Sequence, residues 1–78
     1  MSLKDLIHGI AVELVDHPDQ VVVQEIPGEN NTLVELRVAK EDIGKVIGKE
    51  GRTAQSMRTL LTAMSTKAGK RAHLDIVD

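Results

Sequence analysis

No cysteine and no phenylalanine, tyrosine or tryptophan occur in this chain of 78 residues. Without cysteine there is no disulfide framework, no thiol nucleophile and no cysteine zinc site, which fits a reducing compartment. Without aromatic rings the core must be aliphatic. The base-stacking platforms of RRM and OB domains are also missing. Long apolar runs are absent as well: nothing approaches bilayer length. The start, Met1-Ser2-Leu3-Lys4-Asp5, has no basic leader and no small-residue cleavage site, so a soluble, cytoplasmic protein is expected. One domain, 1–78, is expected, because two smaller pieces could not each bury a core. Even whole, such a domain is marginal and often needs a staple or a partner.

The net charge is only −2, but the charges are segregated. Residues 1–39 hold two cations against seven carboxylates; residues 40–71 hold eight cations against three; Asp75 and Asp78 close the chain. A bipolar chain can offer its basic half to a polyanion while the acidic half keeps it in solution.

Leu3, Leu6, Ile7, Ile10, Ala11, Leu14 and Val15 recur at three- and four-residue steps, which predicts a helix with one apolar stripe. Ser2 can cap it and Pro18 stops it after Asp16. Valine-rich residues 20–26 predict a strand, and Pro27-Gly28-Glu29-Asn30-Asn31 a turn. In the next strand Thr32, Val34, Leu36 and Val38 share one face, and Leu33, Glu35 and Arg37 the other. So 20–38 reads as a hairpin with one face buried. Lys40 to Ile47 predicts a short helix with Ile43, Val46 and Ile47 on one side, ended by Gly48. A longer helix begins near Arg52, with Ala54, Met57, Leu61, Met64 and Ala68 as its stripe and Gly69 just past its end. Ala72, Leu74 and Ile76 alternate with polar residues in a last strand. The expectation is an α+β domain of order α-β-β-α-α-β, its three-stranded sheet covered on one face by helices.

Between the last two helices lies Ile43-Gly44-Lys45-Val46-Ile47-Gly48-Lys49-Glu50-Gly51-Arg52-Thr53. Two glycines three apart let a ligand's backbone approach closely. The helix that follows presents free N–H groups and a positive dipole end, and Lys45, Lys49 and Arg52 surround that point. An anionic backbone suits the arrangement, with phosphate the obvious candidate. Nucleotide-enzyme motifs fail on spacing. A Walker loop needs a wider glycine separation and a Ser or Thr after the lysine, where Glu50 stands. A dinucleotide fingerprint needs a glycine at Val46 and a strand before the loop.

Val46-Ile47-Gly48-Lys49-Glu50-Gly51 resembles the KH signature, an aliphatic pair followed by Gly-x-x-Gly between two helices. The element order resembles the type II, bacterial arrangement. The run from Asp42 to Thr53, with Arg58-Thr59-Leu60-Leu61 following, is similar to the stand-alone bacterial KH proteins of the KhpA type, over essentially the whole chain. That resemblance implies a type II KH domain that grips single-stranded RNA. Gly48, Lys49, Glu50 and Gly51 would clamp the backbone of about four nucleotides. Lys45 and Arg52 would add charge, and Ile43, Val46 and Ile47 would form an apolar floor. The bases would lie between these helices and the sheet, a mode that needs no aromatic ring. Glu50 departs from the basic or neutral middle residues of many KH loops, so modest affinity and weak sequence preference are expected.

Other residues point to no second chemistry. His8, His17 and His73 have no zinc spacing and read as surface or packing residues. Ser56 and Ser65 have no nucleophile elbow. Asp16 and Asp19 flank a turn and read as capping or solvent residues. No metal, no cofactor and no catalytic residue is expected, and the chain is not expected to be an enzyme. Leu60 points away from the stripe that Leu61 continues and is a candidate for an oligomer contact. The resemblance implies a homodimer, or pairing with a larger KH-containing RNA-binding protein, and a role as post-transcriptional regulator or RNA chaperone. The competing expectation is a protein–protein dimerisation module of KH fold for which RNA is dispensable.

Overall fold

The computed structural model describes residues 2–77; Met1, and Asp78 of the acidic end, lie outside the described residues. The first helix, α1 (Leu3–Leu14), starts where Ser2 Oγ accepts a 3.0 Å hydrogen bond from the Asp5 N–H. That satisfies one of the four N–H donors a helix start leaves orphaned. Its stripe buries Ile7 and Ala11 completely. Pro18 then opens a tight turn, Pro18–Gln20, so β1 is Val22–Pro27 and begins two residues later than the valine pattern suggests. Pro27 belongs to the strand, where it faces Thr32. A hydrogen bond of 2.6 Å from the Gly28 N–H to the Asn31 carbonyl closes the turn, and β2 runs Asn31–Arg37 antiparallel to β1.

Next come a tight turn at Lys40–Asp42, a five-residue helix α2 (Ile43–Ile47), the loop, and the sixteen-residue helix α3 (Arg52–Lys67). Gly69, at φ 77°, reverses the chain into β3 (Arg71–Val77). β3 lies parallel to β2, in register from Asn31 opposite Arg71 to Arg37 opposite Val77. The sheet order is β1-β2-β3. A parallel partner requires a crossover, and here α2 and α3 provide it.

The helices cover one sheet face. Val23, Val34, Leu36, Ala72 and Leu74 meet Ile7, Ala11, Val46, Met57 and Leu61 in one aliphatic core. Fully burying a side chain of this kind contributes about 1.5–3 kcal/mol. The stripe on α3 is Ala54, Met57, Leu61 and Ser65. Met64 is only half-buried and Ala68 is exposed. Ser65 takes the buried place because its hydroxyl donates to the Thr62 carbonyl at 3.1 Å, which satisfies it inside the apolar layer. Among the described residues no helix is long and apolar enough to cross a membrane.

Candidate nucleic-acid interface

α2 ends on Gly48, whose N–H reaches the Gly44 carbonyl at 2.9 Å. Gly48 sits at φ 79°, ψ 172°, a region open essentially to glycine alone. A Cβ there would also collide with Thr53, 2.6 Å from its Cβ and 2.9 Å from its backbone nitrogen. Glu50 at φ 58° and Gly51 at φ 74° complete a left-handed turn, tied by the Gly51 N–H to the Gly48 carbonyl at 3.1 Å. Gly51 opens α3, and no side chain caps that helix start. The contrast with α1 matters: Ser2 caps that helix with its side chain, whereas at the start of α3 the Gly51 and Arg52 N–H groups are held by the Gly48 and Lys49 carbonyls and no side chain competes for the positive dipole end.

The candidate residues gather around this turn but do not present equal charge. Val46 is wholly buried, while Ile43 and Ile47 are half-buried, each leaving apolar surface beside the loop. Lys49 is exposed and has no ion pair among the described residues. Arg52 instead donates to Glu50 Oε2 at 3.2 Å. Lys45 turns toward the end of α1: its Nζ lies 3.1 Å from Asp16 Oδ2 and 3.8 Å from Asp42 Oδ1. The hydrogen bond to Asp16 raises the Lys45 pKa above its ordinary value. Lys45 and Arg52 therefore share their charge with carboxylates, and Lys49 is the exposed cation left in the turn.

Asp42 is the residue that sequence reasoning passed over. It is completely buried just before α2. Its Oδ2 accepts both the His17 backbone N–H and a bond with His17 Nδ1, each at 3.0 Å. Burial alone would push the Asp42 carboxyl up, but the His17 bonds, with a backbone bond from Asp16, hold it below the usual value. The hydrogen bond to Asp42 raises the His17 pKa. Asp42 Oδ1 makes no hydrogen bond, its neighbour being the Lys45 ammonium. This pair ties the segment after α1 to the base of α2. The only signal for it in the sequence is a carboxylate, Asp42, beside an apolar run that should have had none buried.

No group of three or more histidine or acidic side chains among the described residues could hold a metal ion. The arrangement can bind an anionic backbone; nothing in it joins a nucleophile to a base.

Comparison with known proteins places the chain in a family. The profile of the family described as KhpA/KhpB, KH domain, matches residues 4–76. The RNA-binding protein KhpA of Aquifex aeolicus is 51% identical over 77 residues, covering 99% of this chain and 98% of its own. That of Clostridium acetobutylicum is 48% identical over 75 residues, covering 96% and 100%. These relatives carry the name of a binding protein and not of an enzyme. Among solved structures, Aquifex aeolicus Era bound to GDP and aluminium fluoride superposes with a TM-score of 0.61 at 17% identity. It covers 95% of this chain, which spans 29% of the Era chain. Era in complex with MgGDPNP and a segment of 16S ribosomal RNA gives 0.60 at 17% identity, over 95% of this chain and 28% of that one. At that identity the likeness concerns the fold, a KH fold. With a profile match over nearly all its length and relatives at half identity, this chain belongs to the KhpA/KhpB family of KH domains.

Proposed function

We propose that this protein binds RNA, and that it holds a single strand through Gly48-Lys49-Glu50-Gly51. The observation that carries the reading is the turn itself: a glycine-only conformation at Gly48, a left-handed step into α3, and a helix start that no side chain caps beside the exposed Lys49. The names of the KhpA relatives support it. Backbone N–H groups and one ammonium would receive the phosphates. Half-buried Ile43 and Ile47 would receive the apolar edges of the nearest sugar or base. Affinity is modest, because Glu50 occupies Arg52. On this reading the protein acts in the cytoplasm as a post-transcriptional regulator or RNA chaperone, as a homodimer or paired with a larger KH-containing RNA-binding protein.

The test is fluorescence anisotropy with a short oligouridylate, comparing wild type with the double variant Lys49→Asp/Glu50→Asp, whose folding is checked by circular dichroism. Wild type should bind, and if two phosphates are neutralised it should lose roughly sevenfold in affinity between 50 and 200 mM salt. The folded variant should not bind. Equal binding by both would remove the loop from the interface. The reading as a dimerisation module without need of RNA would then stand first.

A further inference from the structure

The helices cover one face of the sheet and leave the other open. Val23, Val34, Leu36, Ala72 and Leu74 point into the core. By strand alternation the residues between them line the open side. The register sets these out in rows across β1, β2 and β3. At one end Val22 and Val77 flank Arg37. At the other end Ile26 stands beside Leu33, with His73 next to it. Gln24, Glu35 and Asp75 form the row between. Val22 and Ile26 are exposed, and Leu33 and Val77 are half-buried.

Glu35 and Asp75 are the informative pair. They stand directly opposite each other on neighbouring parallel strands, and like charges so placed are destabilising. Neither has an ion pair among the described residues, and neither has Arg37. Charge on a sheet is an ordinary guard against aggregation. A guard does not require two carboxylates in register, and it does not explain aliphatic side chains at both ends of the same face.

The pattern defines what it can accept. Carboxylates in the middle call for cations, and the ends call for aliphatic side chains. Arg37 turns further cations away from one end, which fixes where a partner's charge must fall. From Val22 to Ile26 the strand advances four residues, about 13 Å. An α-helix covers that distance in about eight or nine residues. Aliphatic turns about eight positions apart, with cations halfway, lie on one stripe of such a helix. A second copy of this chain fits badly, because two copies laid face to face about the middle row set carboxylates against carboxylates. An RNA strand would bring phosphates to the same pair. From these placements we infer that the open sheet face is a docking surface for an amphipathic helix of another protein, with basic side chains between two aliphatic turns. Such a helix would add a second covering layer to the sheet. The sheet itself separates this face from the Gly48–Gly51 turn on the helix side, so the inference does not rest on the RNA-binding reading.

The probe is a synthetic alanine-based helical peptide carrying a leucine pair, an arginine pair one turn on, and a second leucine pair one turn further. Its control has glutamates in place of the arginines. Both are titrated into isotope-labelled protein, and amide shifts are followed by NMR. The arginine peptide should shift amides of β1, β2 and β3, and the glutamate peptide should bind about tenfold more weakly. Glu35→Gln/Asp75→Asn, on the exposed side of the sheet, should bind the two peptides alike. Val22→Thr/Ile26→Thr, which keeps β-branched side chains in the strand, should weaken both peptides. Circular dichroism checks that each variant is folded. Equal binding of the two peptides by wild type, no shifts in the sheet, or shifts confined to the helices would overturn the docking surface. So would an oligouridylate that shifts the same sheet amides, which would give the face to RNA. A wild-type dimer that Val22→Thr/Ile26→Thr makes monomeric in sedimentation would give it to a second copy instead.

Discussion

Gly48 and Gly51 bracket the same turn but are glycines for different reasons. Gly48, at φ 79° and ψ 172°, occupies glycine-only backbone space and lies against Thr53. Gly51, at φ 74° and ψ 12°, is in the ordinary left-handed region with nothing within 4 Å of a Cβ. Asparagine visits that region with little strain, and alanine at about 1–2 kcal/mol. We therefore expect Gly51→Asn to be nearly neutral in urea denaturation and Gly51→Ala to lose about 1–2 kcal/mol. Gly48→Ala should lose more than either, since the collision with Thr53 adds to about 1–3 kcal/mol of strain. Equal midpoints for the two alanine variants would mean that the turn has another conformation. Glu50 sits in left-handed space without the help of asparagine's short amide, and its carboxylate faces Arg52.

At the scale of elements, α2 is too short to hold its own position. Five residues close barely more than one turn, and isolated helices of that length are unstable. Val46 anchors it in the core, and the His17–Asp42 pair fastens its start to the segment following α1. The pair makes stability depend on pH. His17 has a folded pKa above 6.5, so its contribution is complete below 6.5 and is lost as pH rises through the folded value. Asp42 has a folded pKa below 3.8, so its contribution is complete above 3.8 and is lost as pH falls through the folded value. Asp16, Glu41 and Lys45 surround the pair and act in the same field. The melting temperature of wild type should thus be highest between pH 3.8 and 6.5, with Asp42→Asn flattening the alkaline decline. A His17 titration by NMR with a midpoint at or below 6.5 would contradict the pairing.

The whole molecule is one small aliphatic core with an acidic first half and a basic second half. Domains of this size leave little margin, and a second copy is a common remedy. Leu60 stands 48% exposed on α3, away from the buried stripe. If it seats a partner copy, ribonuclease-treated wild type should sediment as a dimer, and Leu60→Glu as a folded monomer. A wild type that becomes monomeric on ribonuclease treatment would show RNA, rather than Leu60, bridging the copies.

Element order and the Gly48–Gly51 loop were legible in the amino-acid order, because both depend on neighbours a few positions apart. The stripe from Leu3 to Val15, the Val34–Leu36 alternation and the glycines ending α2 and α3 need only local period and local backbone freedom. Tertiary structure decided the rest. Asp16 meets Lys45, and His17 meets Asp42, across 29 and 25 positions of chain. Only the packing of α1 against the crossover brings them together. The same packing buries Asp42 and draws Lys45 away from the loop toward Asp16. It also lays β3 parallel to β2, which sets Arg71 beside Asn31 at the far end of α3. Periodicity states which face of each element is apolar; which charges are left for a ligand depends on where those faces come to rest.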